Sequence, residues 1–467
     1  MNRREVLGNV SVAFLAQGIA LGVSVIQTLL VPKTLGVEQY GYWQLFIFYG
    51  GYAGFFPLGL VDGVYLINGG KTRGTIDKAS VYSQWRVGLI YEVVLALAIV
   101  AVGLFGGFEP NRALVIAGFG VYVLISNSVG YMQFVLEAMN EVKRSSIGLI
   151  IERVFYFLPL AVLMIAGVTS FVPYMVAYLF SSVMQLAYLL WHFRDFLRAP
   201  FLGWKTSVVQ TVASMRVGIA LMIANIVSAL ILGVARFAID AEWGIKTFGL
   251  LSLSFTLMSF FVRFVNQVGM VLFPALRQST REEVKVFHRY SRDAMSLFLP
   301  VAYLMYFPLS AFIAWWLPAY RESLQYVLLL MPICVFESKM NISGLTFFKV
   351  FRRERMLLAV NVGSVVVSAA GVLAGMLVFH NVDVVVCAAV FAIMLRSLVS
   401  EQLVNRQLGT RAGHLSAVEV VLTLIFLVTA KTLAPLVAMG VYALAYATYL
   451  VTEHRTVKEV LNKAVRR

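Results

Sequence analysis

Acid is scarce in this chain: 23 Asp and Glu stand against 38 Lys and Arg, and charged residues of both signs make up only 13% of the sequence. Soluble domains carry about twice that share, so a water-surrounded globule of this length is excluded. Only two cysteines occur, Cys334 and Cys387, both inside apolar runs, which excludes a disulfide framework. The five histidines (His192, His288, His380, His414 and His454) are scattered singly at run ends or in loops, so no metal-binding cluster is offered. Glycine loops that cradle phosphate and nucleophile elbows are also missing. Long polar loops are the last absence: segments such as GGFEPN and PAYRES leave no room for a folded domain on one side, and the other side offers little more. Membrane enzymes that polymerise or transfer sugars usually need a sizeable acid-bearing loop. A carrier that moves its substrate by rearranging helices, and not an enzyme, is the expectation.

What is present is hydrocarbon. The sequence is 60% hydrophobic, with a mean hydropathy of +0.84. Apolar runs long enough to cross a bilayer, about 20 residues each, follow one another near 10–31, 41–67, 87–106, 112–135, 147–167, 172–193, 212–235, 245–273, 294–317, 324–347, 357–379, 383–403, 417–433 and 436–452. The expected fold class is therefore all-α: a polytopic helical membrane protein with about 14 transmembrane helices. MNRREVLGN leads straight into a full-length run, so the first helix is expected to act as its own anchor, with no cleaved leader.

The basic residues set the expected orientation. Most of the 38 Lys and Arg fall in the two termini and in the loops near 68–86, 136–146, 194–215, 274–293, 348–356 and 404–416. Only Lys33, Arg112, Arg236, Lys246 and Arg321 fall in or beside the opposite loops. Positive charge accumulates on the cytoplasmic side, which places both termini there. The net charge of +15 then reflects topology and contact with anionic lipid heads, with no call for nucleic acid. The tail HRTVKEVLNKAVRR is basic and amphipathic and is expected to lie on the lipid surface.

Two basic turns six runs apart resemble each other, LEAMNEVKRSSIGLI and FKVFRRERMLLAVN. They suggest two six-helix lobes inserted the same way round, at 1–205 and 206–405, followed by 406–467 with two extra helices and the tail. The lobes differ in their charges within runs. Asp62 and Glu92 lie in the first, while Arg263, Lys339 and Arg396 lie in the second together with Glu337.

Arg263 is the costliest of these. It sits within a run from Gly244 to Pro274, about ten residues or 15 Å from the end. A guanidinium at that depth costs several kcal/mol unless it meets water, a counter-charge or a polar ligand. Ser252, Thr256, Ser259, Arg263, Asn266 and Gln267 recur every three or four residues and share one helix face. Such a stripe suits the lining of a cavity that receives an anion. Lys339 is comparably deep, and both it and Arg263 have two readings, a cavity role or an ion pair with Glu337 or Asp62. Weaker stripes combine Gln17, Ser24 and Gln27, Asn225 with Ser228, and Glu337 with Asn341; each reads equally as interhelical hydrogen-bond glue. Lys431 and Arg396 lie near enough to a run end to snorkel. The second run is dense in aromatics, from Trp43 to Phe56, which read as packing or as sugar-stacking surfaces. Its Gly50, Gly51, Gly54, Pro57 and Gly59 predict a kinked or bending helix.

Several segments in order then resemble the polysaccharide-exporter branch of the multidrug/oligosaccharidyl-lipid/polysaccharide superfamily. They are VPKTLGVEQYGYW with its LGxxxYG turn, VLEAMNEVKRSS, GVARFAIDAEWGIKTFGLLSLSFTL, VLFPALRQ and FFKVFRRERMLLAVN. The chain looks like a Wzx-type lipid-linked oligosaccharide flippase. That resemblance implies a two-lobed bundle with alternating access, no cofactor, and an undecaprenyl-diphosphate-linked glycan as substrate in a bacterial plasma membrane. As partners it implies membrane lipids and the polysaccharide polymerase and chain-length machinery. Arg263, Lys339, Asn266, Gln267, Ser259, Asn225 and Arg396 would then contact substrate, and Asp62, Glu92 and Glu337 would serve ion coupling. Where such proteins place an acid–arginine pair, this chain has Ala235 and Arg236. The alternatives are a peptidoglycan-precursor flippase, which tends to carry arginine in a first span that is uncharged here, and a drug/cation antiporter. Outside that class stands a membrane glycan polymerase.

Overall fold

The computed structural model describes the backbone of residues 3–277, 280–351, 353–410 and 414–465; side chains are described within these segments except at 3–16, 264, 266–277, 354 and 461–465. Every regular element among the described residues is helical. Twelve helices are long and apolar enough to cross a membrane. The chain is a polytopic helical membrane protein, and each of the fourteen apolar runs overlaps one or more of its helices. It divides into two compact units, Met1–Ile226 and Val227–Arg467.

The difference between twelve long helices and fourteen runs has a physical cause. Helix α1 (Arg3–Gly50) and helix α8 (Trp204–Arg277) are each too long for one crossing of a core about 30 Å thick. Each breaks at one glycine: Gly36 at φ 69°, ψ 174° and Gly244 at φ 74°, ψ −177°. That corner of backbone space is open essentially to glycine alone. Both breaks also sit at the head of the same spacing, Gly36-VEQY-Gly41 and Gly244-IKTF-Gly249.

In unit 1, α1 stops at Gly50, and the glycine-rich stretch after it is no continuous helix. A single 3₁₀ turn covers Ala53–Phe55, and Leu58 and Gly59 take positive φ before α2 (Leu60–Asn68) starts. Four longer helices follow, α3 (Lys78–Phe105), α4 (Pro110–Ala138), α5 (Val142–Ile165) and α6 (Phe171–His192), then the short α7 (Arg194–Leu197). Helix α2 lies backbone to backbone against the first turns of α8. A Cβ on Gly63 would fall 1.9 Å from the Ser214 carbonyl oxygen, and one on Gly218 would fall 2.0 Å from that of Gly59. Small residues allow this approach in a membrane, where close packing must replace hydrophobic drive. The core there gathers Leu60, Val64, Val129, Met132, Val135 and Phe196.

Unit 2 holds the rest of α8, then α9 (Arg281–Phe298), α10 (Tyr306–Trp316), α11 (Ser323–Lys339), α12 (Thr346–Val350), α13 (Glu354–Leu377), α14 (Val382–Leu408), α15 (Leu415–Thr432), α16 (Pro435–Thr452) and α17 (His454–Val465). Helix α9 begins with a capping box, the Thr280 side chain on the Glu283 amide and the Glu283 carboxylate on the Thr280 amide. Helix α11 is the central element, buried along nearly its whole length, and passes through a π-helical stretch at Met340–Leu345 into α12. The tail forms α17, a strongly amphipathic helix.

A polar clasp closes the basic end of unit 1. Arg73 donates Nε and Nη2 to the Glu141 carboxylate (2.8 and 2.9 Å) and Nη1 to Asp195 Oδ1 (2.7 Å), while Lys78 reaches Asp195 Oδ2 at 2.9 Å. Partial burial alone would raise both carboxyls. The bonds and charges of Arg73 and Arg144 on Glu141, and of Lys78 and Arg73 on Asp195, outweigh it and hold both below their ordinary values of 4.5 and 3.8. Acids with depressed values contribute stability that is complete above those ordinary values and is lost as pH falls through the lowered ones. Arg73→Ala is expected to lower the thermal unfolding midpoint of the solubilised protein at neutral pH. The gap from wild type should close in acid, below about pH 4; a gap of constant size across the titration would show that the clasp contributes no ionic stabilisation.

Candidate functional site

Unit 1 contains a cavity of about 280 Å³ at the break between α1 and α2. The break itself creates it: the missing helical turns leave Gly50, Ala53, Gly54 and Phe55 as one wall. Helix α2 supplies Val61 and Asp62, α4 supplies Tyr122, Ser126, Asn127, Gly130 and Phe134, and α8 supplies Met222 and Asn225. Asp62 lies in the first turn of α2, half-buried. Asn127 is 4% exposed, and its Nδ2 has no hydrogen-bond partner. Phe55 of the second run lines the cavity, whereas the buried aromatics earlier in that run are engaged in packing. Trp43 and Phe46 are fully buried, and Phe46 meets Tyr122 and Tyr178 edge-on at 5.8 and 5.9 Å. Trp43 stacks on Tyr156 at 6.3 Å. Of the expected site residues, this cavity brings together Asp62 and Asn225; Glu92 is elsewhere, buried on α3 at 5% exposure.

Charges in unit 2 are paired more fully than the sequence suggests. Lys339, expected to face a cavity or to pair with Glu337 or Asp62, is 1% exposed and pairs otherwise. Its Nζ reaches Glu419 Oε2 on α15 at 2.5 Å and Glu401 Oε2 on α14 at 2.7 Å. It also donates to Ser296 and Ser416 at 3.3 Å. Glu401 accepts from Ser416 at 2.8 Å and lies 4.0 Å from Arg292, which binds Asp293 at 2.8 Å and Asn405 at 3.2 Å. His288 donates Nε2 to the same Asn405 oxygen at 2.9 Å. Helices α9, α11, α14 and α15 are thus joined by one buried ionic network. Lys339 in this arrangement has no open space to offer a substrate.

Glu337, half-buried, is taken by Arg396, whose Nη2 contacts its carboxylate while Nη1 donates to Ser228 at 3.1 Å. Arg396 is 3% exposed, so its charge is balanced inside the protein rather than snorkelled. Arg236, whose role the sequence left undecided, braces the Gly244 break. It donates to Ser252 at 3.0 Å and lies over the Phe248 and Phe255 rings at 5.1 and 5.4 Å, tying the segments on either side of the glycine together. That uses up the start of the polar stripe, since Ser252 is fully buried and Thr256 bonds the Ser252 carbonyl. Ser259 is half-buried and Arg263 is exposed at the far end; the side chains of Asn266 and Gln267 lie outside the described residues. The sequence reading missed Glu401, Glu419 and Asn127. Glu419 had a signal, being an acid only a few residues inside an apolar run, and Glu401 was another at a run's end.

No family model matches the chain, and no curated protein sequence matches it significantly. Solved structures do. A multidrug resistance MATE family transporter of the MOP superfamily, inward-facing, superposes with a TM-score of 0.61 at 14% identity, over 85% of this chain and 98% of that one. The lipid II flippase MurJ, inward closed, superposes with a TM-score of 0.65 at 10% identity, over 97% of this chain and 100% of that one. An outward-facing MATE structure gives 0.55 at 13% identity over 86% and 95%. The fold is that of the MOP superfamily transporters.

Breaking the buried network from one side is expected to be costly. Lys339→Met leaves Glu401 and Glu419 without their cation, a loss of about 3–5 kcal/mol, read as a large drop in folded protein after solubilisation. Lys339→Met combined with Glu419→Gln should recover part of it. A double variant no better than the single one would show that the pair is not coupled.

Proposed function

We propose that this protein is a flippase that carries a lipid-linked oligosaccharide, with an undecaprenyl-diphosphate anchor, across the bacterial plasma membrane by alternating access, for surface polysaccharide assembly. The observation that supports it best is the extent of the fold. The likeness to the lipid II flippase runs over 97% of this chain and the whole of that one, whereas the likenesses to drug transporters cover 85% or 86%. The ordered motifs that resemble Wzx-type exporters select an oligosaccharide as cargo, and an uncharged first run weighs against a peptidoglycan precursor. Both termini are assigned to the cytoplasm by the basic loops.

In this reading the face of α8 that carries Ser259, Arg263, Asn266 and Gln267 meets the diphosphate. Arginine suits it because a guanidinium donates to two phosphate oxygens at once. Lys339 and Arg396 serve structure, as their carboxylate partners dictate. Asp62 and Glu92 are the acids to which ion coupling is assigned, with Glu337 held by Arg396. A drug/cation antiporter is the second reading, favoured by the acid in the unit 1 cavity.

Deleting the gene is expected to abolish the surface glycan and trap its lipid-linked precursor on the cytoplasmic side; glycan export at normal levels, in a strain with no second carrier, would refute the flippase. Arg263→Ala should reduce complementation of the deletion at least tenfold, about 1.4 kcal/mol, with the protein still present in the membrane. Arg263→Lys should restore only part. Full complementation by Arg263→Ala would remove the arginine from the transport path.

A further inference from the structure

The unit 1 cavity has a chemical bias of its own. Its polar lining includes Asp62, Tyr122, Ser126, Asn127 and Asn225, and no Lys, Arg or His is among the described lining residues. A phosphate or carboxylate entering it would meet the Asp62 carboxylate with no lining cation to offset the repulsion. Asn127 presents a buried amide N–H with no acceptor, in a wall it shares with the cavity. Buried donors of this kind are normally satisfied, so this one points to a visiting oxygen. Phe55, Tyr122 and Phe134 add aromatic rings to the lining. Acceptors, donors and aromatic rings lining one small space suit a ligand that is hydroxyl-rich on its edges and C–H-rich on its faces, which describes a sugar ring.

Size and rigidity narrow this further. The volume of about 280 Å³ falls just below the usual range of ligand pockets, about 300–1,000 Å³, so a single ring fits and a whole oligosaccharide does not. Asp62 is held in place because α2 is locked against α8 by the Gly59–Gly218 and Gly63–Ser214 approaches. A fixed acid selects more sharply than a mobile one.

We propose that this cavity seats one sugar ring of the substrate's glycan, and that Asp62 is a specificity determinant that admits neutral and amino sugars and rejects uronic acids. The proposal rests on the flippase reading for the identity of the cargo. Asn127 donates to a ring substituent, Asp62 accepts from hydroxyl or ammonium groups, and the aromatic faces stack on the ring.

The test uses the purified full chain in lipid nanodiscs and saturation-transfer difference NMR with three probes: the methyl glycosides of a neutral hexose, an amino sugar and a hexuronate. The hexose and amino sugar are expected to bind, and the hexuronate about tenfold or more weakly. Asp62→Asn should bring the hexuronate to parity, Asp62→Glu should keep the discrimination, and Asn127→Leu should weaken all three. Thermal unfolding midpoints matching wild type establish that each variant is folded. Equal binding of hexuronate and hexose to wild type would overturn the proposal, as would no binding of any probe. A quaternary ammonium ion that binds through Asp62 where no sugar does would mark an organic-cation site instead. Sugar binding beside unimpaired glycan export in the deletion strain would sink the flippase and leave the sugar seat standing. A clear export defect without sugar binding would do the reverse.

Discussion

Hydrocarbon offers a peptide group no hydrogen-bond partner, so a chain inside it must bond its own backbone at every residue or stop at a place built for stopping. The structure follows from where those stops fall. Gly36 and Gly244 each end one span and start the next through a backbone conformation that only glycine adopts readily. The third stop, between Gly50 and Leu60, is the one that opens a cavity. Freed backbone groups there are taken up by the short-range bonds of the 3₁₀ turn, such as Phe55 N to Tyr52 O at 3.1 Å. A fourth irregularity, the π-helical stretch of Met340–Leu345, follows directly after Lys339, which is 1% exposed. Stops and irregular turns in this protein lie where its polar chemistry lies.

Charge is handled by the same rule. A buried ion needs a partner of opposite sign and further hydrogen bonds, and unit 2 meets the demand with acids drawn mostly from far along the chain, and in one case from the next residue. Glu401 and Glu419 converge on Lys339, Glu337 on Arg396, and Asp293 on Arg292. Unit 1 spends its acids differently. Glu141 and Asp195 close the clasp at its basic end, and Asp62 is left in the cavity wall. In the proposed reading, the acid in the unit 1 cavity wall and the exposed arginine on α8 in unit 2 are why glycan and diphosphate are given to different residues.

Much of the fold could be read from sequence because its signals are local. Apolar runs mark the helices, the basic loops mark the turns, and the glycine cluster at 50–59 marks a broken helix, which the structure contains. The two glycine breaks in α1 and α8 also explain why fourteen runs appear as twelve long helices. The site was less legible. A lysine in an apolar run reads the same whether it waits for a ligand or holds a carboxylate, and only tertiary structure brings Glu419 to Lys339 across 80 residues. Asn127 gave no signal, because an asparagine among apolar neighbours reads as helix glue until its unpartnered amide is seen. Arg236 was legible as a charge and not as a brace, since its bond to Ser252 depends on the fold-back at Gly244.

The Lys339 network also has a consequence for how the protein is made. Glu401 lies 62 residues after Lys339 and Glu419 lies 80 residues after it. Chains emerge at about 5–20 residues per second, so for about 4–16 seconds the lysine has been synthesised and its last carboxylate has not. Until α14 arrives Lys339 has neither carboxylate, and until α15 arrives it has only Glu401, so α11 is a poor lodger in lipid, best held at the insertion machinery until both helices follow. A chain that ends short of α14 leaves that charge unmatched, and one that ends between α14 and α15 leaves its network incomplete. The same residues that fasten the finished unit therefore report how far synthesis has run.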